Sequence, residues 1–338
     1  MSAFFFTIFV PFFMRAIVQG VPLLYGATGE ILTEKSGHLN LGIPGIMYMV
    51  AIGGVVGSFL YEQKVGTGNA LNPALGILIP IVCSLIFSGL MGLLYCFLTV
   101  TLRANQNVTG LTITTFGVGC GNFLGGSLIK LTNADVPNVI LTRTHNLFVT
   151  KLPFAEKLGW FGDMFLSYSF LAYLSIVIAV ISAWVLNKTR VGLHLRAVGE
   201  SPSTADAAGV NVNRYKYVAT IVGSMIAGIG GLYYIMDYAC GVWSNDGFGD
   251  RGWLAIALVI FTLWRPGLCI FGSFVFGGLY IIHNYLTQAL HLSFATQELV
   301  KMTPYVVTIL VLIVISLRKK RETQPPAHLG QNYFREER

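Results

Sequence analysis

The chain contains 338 residues, of which 54% are hydrophobic and only 11% are charged. Because a typical soluble domain carries roughly 25% charged residues, this composition excludes a soluble globular protein and indicates a polytopic membrane protein. The net charge of +7 does not indicate nucleic-acid binding, since the basic residues cluster beside apolar runs, where they orient membrane segments. The five cysteines are scattered without the CxxC spacing of a metal site, so we interpret them as small core residues and expect no metal.

Nine apolar segments follow one another along the chain as candidate membrane helices. They are residues 4–32, 43–61, 73–102, 107–130, 166–187, 217–236, 253–264, 267–288 and 303–317. The first contains Pro11, Arg15 and Pro22, and the segment 253–264 is shorter than the roughly 20 residues that a bilayer requires. The sequence therefore predicts an all-α polytopic membrane protein with about 8–10 transmembrane helices, some of them broken or re-entrant.

Basic residues in short connections predict which side of the membrane each connection faces. The segment 187–216 contains Lys188, Arg190, Arg196, Arg214 and Lys216, and further basic residues occupy positions 318–321. Both regions are predicted to be cytoplasmic, and the four segments between them return the chain to the same side. This gives a membrane domain at 1–321, a cytoplasmic tail at 322–338 and an external N-terminus. Residues 132–163 and 237–251 are then external, although Arg143, Lys151 and Lys157 oppose that assignment for the first.

The segment 187–216 contains the signals of a complete short helix at residues 201–209. The hydroxyl of Ser201 is a candidate N-cap, Pro202 suits the first helical position, and Gly209 can adopt the left-handed conformation that ends a helix. A helix of two turns is marginal in water by itself. It is either a capped connector packed on its own protein or a docking element for a partner.

Polar residues open the fourth apolar segment at helical spacing. Asn105, Thr109, Thr112 and Thr115 are predicted to share one helix face. Amide groups in hydrocarbon are costly unless they are paired. This face is therefore either the lining of a hydrated translocation pathway or a set of hydrogen bonds between helices.

Three more residues are candidates for the pathway. Asn40 lies in a glycine-rich connection, where turn formation is the alternative interpretation. Phe116 and Trp243 offer aromatic faces on which a flat cargo ring can stack. With 23 Phe, 15 Tyr and 5 Trp in the chain, core or interfacial packing is the stronger interpretation of any single aromatic residue.

No sequence pattern indicates an enzyme. Residues 26–37 resemble a phosphate-binding loop, but Glu34 occupies the position where the GxxxxGK[ST] pattern requires glycine. HExxH and GxSxG patterns are missing as well. We therefore expect a transporter subunit without an ATPase site of its own. Arg15 is the one strong candidate for an ionisable residue inside the membrane, as a proton-coupled carrier would need.

Residues 191–219 read VGLHLRAVGESPSTADAAGVNVNRYKYVA, which closely resembles the coupling-loop motif of permeases in the ribose and branched-chain amino-acid importer superfamily of bacterial ABC transporters. Similar stretches occur at 29–47, 103–111, 251–266 and 325–338, so the resemblance covers most of the chain. It is closest to the nucleoside-type branch. One departure is Pro44, where related sequences usually have an acidic residue. Another is the external segment around residues 132–160, which is not part of the resemblance.

The resemblance implies a multi-pass protein of the bacterial inner membrane. It implies a coupling helix at 201–209 that sits in a groove of a separate ABC ATPase, with polar contacts from Arg196, Glu200 and Asp206. The other implied partners are a second permease, either homologous or a second copy, and an extracytoplasmic substrate-binding lipoprotein of the BMP family. ATP would be bound by the ATPase, and this chain would need no cofactor.

Several interpretations remain open at this point. The cargo suggested by the resemblance is a nucleoside, but related permeases carry riboflavin, simple sugars or amino acids. A secondary carrier or channel would use an ion gradient and need no ATPase. A receptor or assembly scaffold would bind a soluble partner through residues 187–216 and move no cargo.

Overall fold

The structure is a computed structural model that describes residues 9–66, 68–132, 138–150, 158–290, 293–318 and 324–334. The predicted start of the first apolar segment at residue 4 lies outside the described residues. The predicted boundary between membrane domain and tail at residue 321 also lies outside them.

The described residues form fourteen α-helices and one two-stranded sheet, so the predicted all-α polytopic class is confirmed. The helices are α1 (Val10–Glu34), α2 (Ile43–Val65), α3 (Pro73–Cys96), α4 (Gln106–Thr132), α5 (Thr142–Phe148), α6 (Gly159–Leu166), α7 (Phe170–Lys188), α8 (Arg190–Glu200), α9 (Pro202–Ala207), α10 (Val212–Tyr233), α11 (Arg251–Phe261), α12 (Pro266–Leu290), α13 (Phe294–Lys301) and α14 (Thr303–Arg318). The strands are β1 (Val139–Ile140) and β2 (Val242–Trp243). Single π-helical turns extend α3 through Phe97–Thr101 and α10 through Tyr234–Tyr238.

Helices α1, α2 and α10 form the centre of the bundle, and small residues let them approach closely. A Cβ atom placed on Gly29 of α1 would lie 2.2 Å from the carbonyl oxygen of Gly223 in α10. A Cβ on Gly231 of α10 would lie 2.1 Å from the carbonyl oxygen of Met47 in α2. Such backbone contact is typical of membrane helices, which associate by packing rather than by a hydrophobic drive.

Connections at one end of the bundle meet at a surface that we call the basic-loop face, because it carries residues 187–216. There Leu39 N donates to Gln106 Oε1 (2.8 Å), which joins the α1–α2 connection to the start of α4. The tail reaches the same face, where His328 N donates to Gly199 O (3.0 Å). The tail and residues 187–216 thus lie at the same end of the bundle, as their basic residues predicted.

The opposite end, which we call the hairpin face, carries the small sheet. Strand β1 pairs antiparallel with β2, with Val139 opposite Trp243. This pairing joins the two stretches that were predicted to lie together outside. Arg143, whose charge opposed that prediction, donates from Nη1 to the carbonyl oxygen of Gly66 (2.8 Å) at the end of α2.

Seven described helical segments are long and apolar enough to cross a membrane, with α13 and α14 counted as one segment. Two other predicted segments fall outside this set. Helix α4 has 27 residues but is not among the seven, and α11 has only 11 residues. The predicted total of about 8–10 crossings includes these two segments.

The crossing that contains α11 is broken, as its short apolar segment predicted. A series of turns at residues 245–250 follows β2, and there Asp246 N donates to Tyr48 OH (2.8 Å), so a side chain satisfies this part of the non-helical backbone. Helix α11 then continues to the basic-loop face. Beyond its end, Trp264 Nε1 donates to Glu34 Oε2 in the last turn of α1.

Candidate functional site

Helix α9 lies on the basic-loop face, and local chemistry defines both of its ends. Pro202 occupies the first turn, where no amide donor is needed. At the other end Gly209 has a φ of +84°. Gly209 N donates to Asp206 O (3.0 Å) and Val210 N donates to Ala205 O (3.0 Å), which are the two hydrogen bonds of a Schellman motif. The predicted start and end of this helix are therefore confirmed.

Ser201 precedes α9 as predicted, but its hydroxyl does not cap the helix. Ser201 Oγ pairs with Thr204 Oγ1 (2.8 Å) and makes no capping hydrogen bond with a backbone amide. The backbone of Ser201 instead joins two helices. Its N donates to Ala197 O in α8 (2.9 Å), and its O accepts from Ala205 N in α9 (3.0 Å).

Helix α9 has a packed inner side and an open outer side. Ala205 packs with Val198 of α8 and Val212 of α10, and Pro202 is also buried. The exposed residues are Ser203, Thr204, Ala207, Ala208 and Gly209. The inner contacts agree with a connector packed on its own protein. The outer side nevertheless presents only small side chains, which suits close approach of a second protein.

The charged residues predicted to contact a partner differ in accessibility. Glu200 is exposed, whereas Arg196 is half-buried and its buried Nε atom has no hydrogen-bond partner among the described residues. Asp206 is half-buried, and its Oδ2 accepts a hydrogen bond from Tyr333 OH of the tail (2.8 Å). Burial lowers the pKa of nearby Lys35, and the positive charge of Arg196 adds to that effect while Glu200 opposes it.

Beneath α8 and α9, His38 joins three elements and is fully buried. Thr99 donates to Tyr95 O (2.6 Å), so it accepts from His38 Nε2–H (2.7 Å). His38 Nδ1 is then the acceptor for the hydroxyl of Thr220 in α10 (2.8 Å). Burial, together with the charge of Lys216, lowers the pKa of His38 to about 3. The ring is therefore neutral, and it fixes the α1–α2 connection to α3 and α10.

The burial of neutral His38 predicts that the folded protein loses stability in acid. In the unfolded chain a histidine titrates near pH 6.5, so between about pH 6.5 and pH 3 the unfolded state binds a proton that the folded state does not. Above pH 6.5 neutral His38 therefore costs the folded protein no stability, and at pH 5 the free energy of unfolding is lower by roughly 2 kcal/mol. Thermal unfolding in detergent between pH 5 and pH 7.5 tests this. His38→Gln should flatten the pH dependence, whereas His194→Gln should retain it; equal slopes for all three proteins would contradict the prediction.

Helix α4 packs on α2 along one side and is open along the other. On the packed side a Cβ atom on Gly117 would lie 2.4 Å from Gly45 O of α2. The open side, which we call the α4 stripe, consists of Asn105, Val108, Leu111, Thr112, Thr115, Phe116, Gly119, Phe123, Ser127 and Lys130. Thr112 and Thr115 donate their hydroxyls to carbonyls one turn back, at 2.8 and 3.1 Å. The stripe thus combines small, polar and aromatic side chains on one accessible face.

Two predicted pathway residues on α4 have other contacts. Asn105 is exposed at the start of the helix, where its Oδ1 accepts from Val108 N (3.1 Å) and caps the first turn. Thr109 is 7% exposed and lies on the buried side, so it does not share the face of Thr112 and Thr115. The helix turns by about 100° per residue, which places Thr109 at the edge of the predicted face and within reach of the core.

Asn40 and Trp243, which were also predicted to line the pathway, are buried in this structure. Asn40 Oδ1 accepts from Gly42 N (2.9 Å), which forms the turn of the alternative interpretation, and Asn40 Nδ2 has no hydrogen-bond partner in the part of the chain that the structure describes. Trp243 is 1% exposed, with its ring 5.1 Å from that of Tyr48. A Cβ atom on Gly125 would lie 2.2 Å from Trp243 Nε1, so α4 closes over the indole.

A pair of buried acids was missed in the sequence. Glu30 and Glu34 lie one turn apart on α1 and are 0% and 3% exposed. Glu30 Oε1 accepts from Asn40 N (3.1 Å), and Glu34 accepts from Trp264. The pair therefore holds the α1–α2 connection and the end of the broken crossing. Their i, i+4 spacing inside an apolar segment was the available signal. Arg15, the residue chosen instead, has an exposed side chain near the hairpin face.

Pro44, which stands where related sequences usually have an acidic residue, is explained by its position at the start of a helix. Helix α2 begins at Ile43, so Pro44 occupies the first turn, where its missing amide hydrogen costs no hydrogen bond. A Cβ atom on Gly252, at the start of α11, would lie 2.4 Å from Pro44 Cα. The proline thus starts a helix at the point where the broken crossing packs closely.

A groove of about 860 Å³ opens between α7 and α10. Its wall within the membrane is formed by side chains such as Ile181, Val185, Val218 and Val222. Polar residues lie where the groove reaches the basic-loop face, at His194 and Arg214. Such a surface suits an apolar neighbour and does not provide the hydrogen bonds that a polar cargo requires. Among the described residues, no group of His, Cys, Asp and Glu side chains is placed to hold a metal ion.

Curated relatives match this chain over most of its length. The putative glucose ABC transporter permease protein TsgC13 of Haloferax volcanii is 28% identical over 96% of this chain and 97% of its own. The nucleoside ABC transporter permease protein NupC of Lactococcus lactis is 28% identical over 94% and 95%, respectively. The guanosine ABC transporter permease protein NupQ of Bacillus subtilis is 28% identical over 88% and 89%.

Residues 12–315 match the family described as the permease component of the branched-chain amino acid transport system. The match contains nearly all of α1, the broken crossing and the α8–α9 segment. An ABC permease works with an ATPase partner, which agrees with a bundle that presents a small accessible helix at one face. The chain is thus a multi-pass membrane subunit and belongs to this family of ABC transporter permeases.

Proposed function

We propose that this chain is the permease subunit of a nucleoside importer and that α9 is the helix through which a separate ATPase drives it. The observation that carries the proposal is the outer side of α9, where a helix fixed at both ends exposes only small side chains. Arg196, Glu200 and Asp206 lie beside this surface and supply charges at its rim. The basic-loop face is then cytoplasmic, and the hairpin face with the start of α1 is external.

The proposed pathway runs between two permease subunits and is lined by the α4 stripe. Phe116, Thr112 and Thr115 supply an aromatic face and hydroxyl groups on a helix side that no other described helix of this chain covers. The second subunit is a homologous permease or another copy of this chain. A substrate-binding lipoprotein delivers cargo at the hairpin face, and ATP is bound by the ATPase.

The proposed cargo is based on the names of the relatives. Two of those reported carry nucleoside or guanosine in their names, which favours a nucleoside. A simple sugar is the second candidate, because the Haloferax relative is named a putative glucose permease. Uptake of labelled guanosine and labelled glucose by the reconstituted importer distinguishes the two. Uptake by proteoliposomes that contain this chain without an ATPase would instead establish a carrier or channel.

Substitution of the charged rim tests the assignment of the ATPase contact. In the complete importer, Arg196→Ala and Asp206→Ala should reduce ATPase binding by about tenfold each, because each removes one charged contact worth about 1.4 kcal/mol. Binding is measured with the purified ATPase, and ATP-driven uptake is measured in parallel. Arg143→Ala at the hairpin face is the control. If both variants bound the ATPase and supported uptake as the wild type does, α9 would not be the coupling helix.

Phe116→Ala tests the α4 stripe. Removal of a stacking face should lower cargo uptake by about tenfold, since stacking on an aromatic ring contributes roughly 1–3 kcal/mol. Phe271→Ala is the matched control, because Phe271 of α12 is also exposed, at 70% against 48% for Phe116. Equal uptake by the two variants would remove Phe116 from the pathway.

A further inference from the structure

The tail at residues 326–334 binds several separate parts of the basic-loop face. His328 N donates to Gly199 O (3.0 Å) at the end of α8. Asn332 Nδ2 donates to Arg103 O (2.7 Å) in the connection between α3 and α4. Tyr333 OH donates to Asp206 Oδ2 (2.8 Å) on α9. Nine residues therefore connect elements that are about 100 residues apart in the sequence.

The contact between the tail and α4 is made through a buried side chain. Gln106, the first residue of α4, is 2% exposed. Its Nε2 donates to Gln331 O (3.1 Å) and Asn332 Oδ1 (3.3 Å), and its Oε1 accepts from Leu39 N (2.8 Å). All hydrogen-bonding groups of this amide face protein, so the tail and the start of α4 are held in one geometry.

The α3–α4 connection is itself constrained. Arg103 has a φ of +57°, a conformation that residues other than glycine rarely adopt. Its guanidinium lies 4.8 Å from the ring centroid of Phe334, a cation–π contact with the tail. Such a conformation persists only when the surroundings hold it. The tail supplies part of that support.

The contact between the tail and α9 is equally defined. The ring of Tyr333 packs against the apolar cluster of Val198, Ala205 and Val212, which is the inner side of α9. Its hydroxyl donates to a carboxylate, and such charge-assisted hydrogen bonds are stronger than neutral ones. Movement of α9 therefore displaces Tyr333 as well while this hydrogen bond holds the ring in position.

We propose that residues 328–334 form a strap that transmits displacement of α9 to the start of α4. Tyr333 and Gln106 are its positioning residues. This rests on the proposed function, in which α9 docks on the ATPase and the α4 stripe lines the pathway. The strap gives the docked helix a route to the pathway-lining helix through the adjacent Tyr333 and Asn332.

The test measures movement of α4 without depending on the cargo. In the permease–ATPase complex, Cys83, Cys120 and Cys240 are replaced by serine, and Thr112→Cys introduces a thiol on the α4 stripe. Its labelling rate with a maleimide is compared with and without a non-hydrolysable ATP analogue. In this background the analogue should change the rate by about fivefold, in the range of ordinary coupling between sites. Tyr333→Phe should largely abolish the change while the ATPase remains bound.

Two further variants make the test specific. Asn332→Ala breaks the strap at its other end and should reproduce the effect of Tyr333→Phe. Tyr217→Phe is the control, since it removes a tyrosine hydroxyl bond to Thr101 (2.5 Å) at the same face but outside the strap.

The outcomes of this test distinguish failure of the strap proposal from failure of the proposed function. An unchanged ATP response in both Tyr333→Phe and Asn332→Ala would overturn the strap. Loss of ATPase binding in Tyr333→Phe would also overturn it, because the tail would then only shape the docking surface. Failure of the proposed function has a different signature, in which the background protein with its native Tyr333 does not bind the ATPase at all.

Discussion

Ala207→Trp is expected to abolish ATP-driven uptake while leaving the permease folded. Ala207 lies on the exposed outer side of α9, so an indole there displaces no packed side chain of this chain. It does separate α9 from any surface that fits closely against small side chains. We expect ATPase binding to weaken about 100-fold, equivalent to roughly 2.7 kcal/mol. Affinity is measured with the purified ATPase, and folding is measured by thermal unfolding in detergent.

The control for this prediction is Ala74→Trp. Ala74 is exposed in the first turn of α3, on the hairpin-face end of the bundle, so the same chemical change is made away from α9. It should leave ATPase binding unchanged. Wild-type affinity in Ala207→Trp would exclude the outer side of α9 as a docking surface, whatever the effects of the charged residues around it.

Gly223→Ala is expected to destabilise the membrane domain strongly. The added Cβ would lie 2.4 Å from both Gly29 O and Thr33 Oγ1, and the first of these is backbone that cannot rotate away. Overpacking typically costs about 1–3 kcal/mol, and separation of two central helices takes the effect to the upper end of that range. The measurements are the yield of monodisperse protein and its thermal unfolding temperature in detergent.

Gly126→Ala provides the comparison. A Cβ atom on Gly126 of α4 meets nothing within 4 Å, and alanine is favoured over glycine in a helix by about 0.8–1.0 kcal/mol. This variant should be as stable as the wild type or slightly more stable. If the two variants unfolded at the same temperature, close contact between α1 and α10 would not limit the stability of the bundle.

The two candidate surfaces differ in how much of each could be predicted from the sequence. The ends of α9 were predicted correctly because Pro202 and Gly209 act through their own backbone geometry. The α4 stripe was predicted only in part. Thr112 and Thr115 share an accessible face, but Thr109 turns into the core, and its direction depends on where α2 packs.

Contacts between residues far apart in the chain decide how other side chains are buried. Trp243 was a candidate for cargo stacking, yet pairing of β2 with β1 and the close approach of Gly125 bury it. Glu30 and Glu34 were not recognised as a buried pair because their partners lie elsewhere in the chain. These partners are a backbone amide of the next connection for Glu30 and an indole 230 residues further along for Glu34. A linear pattern does not contain those partners.

The sequence by itself determined the membrane class, the positions of the apolar helices, the short broken crossing and the limits of α9. Each of these follows from hydrophobicity or backbone preference within a few neighbouring residues, so distant contacts are not needed. Only the tertiary structure decided which side of α4 is open, that the acids of α1 are buried, and that the tail joins α9 to α4. These features depend on contacts between residues far apart in the chain, and such contacts form only when the helices pack.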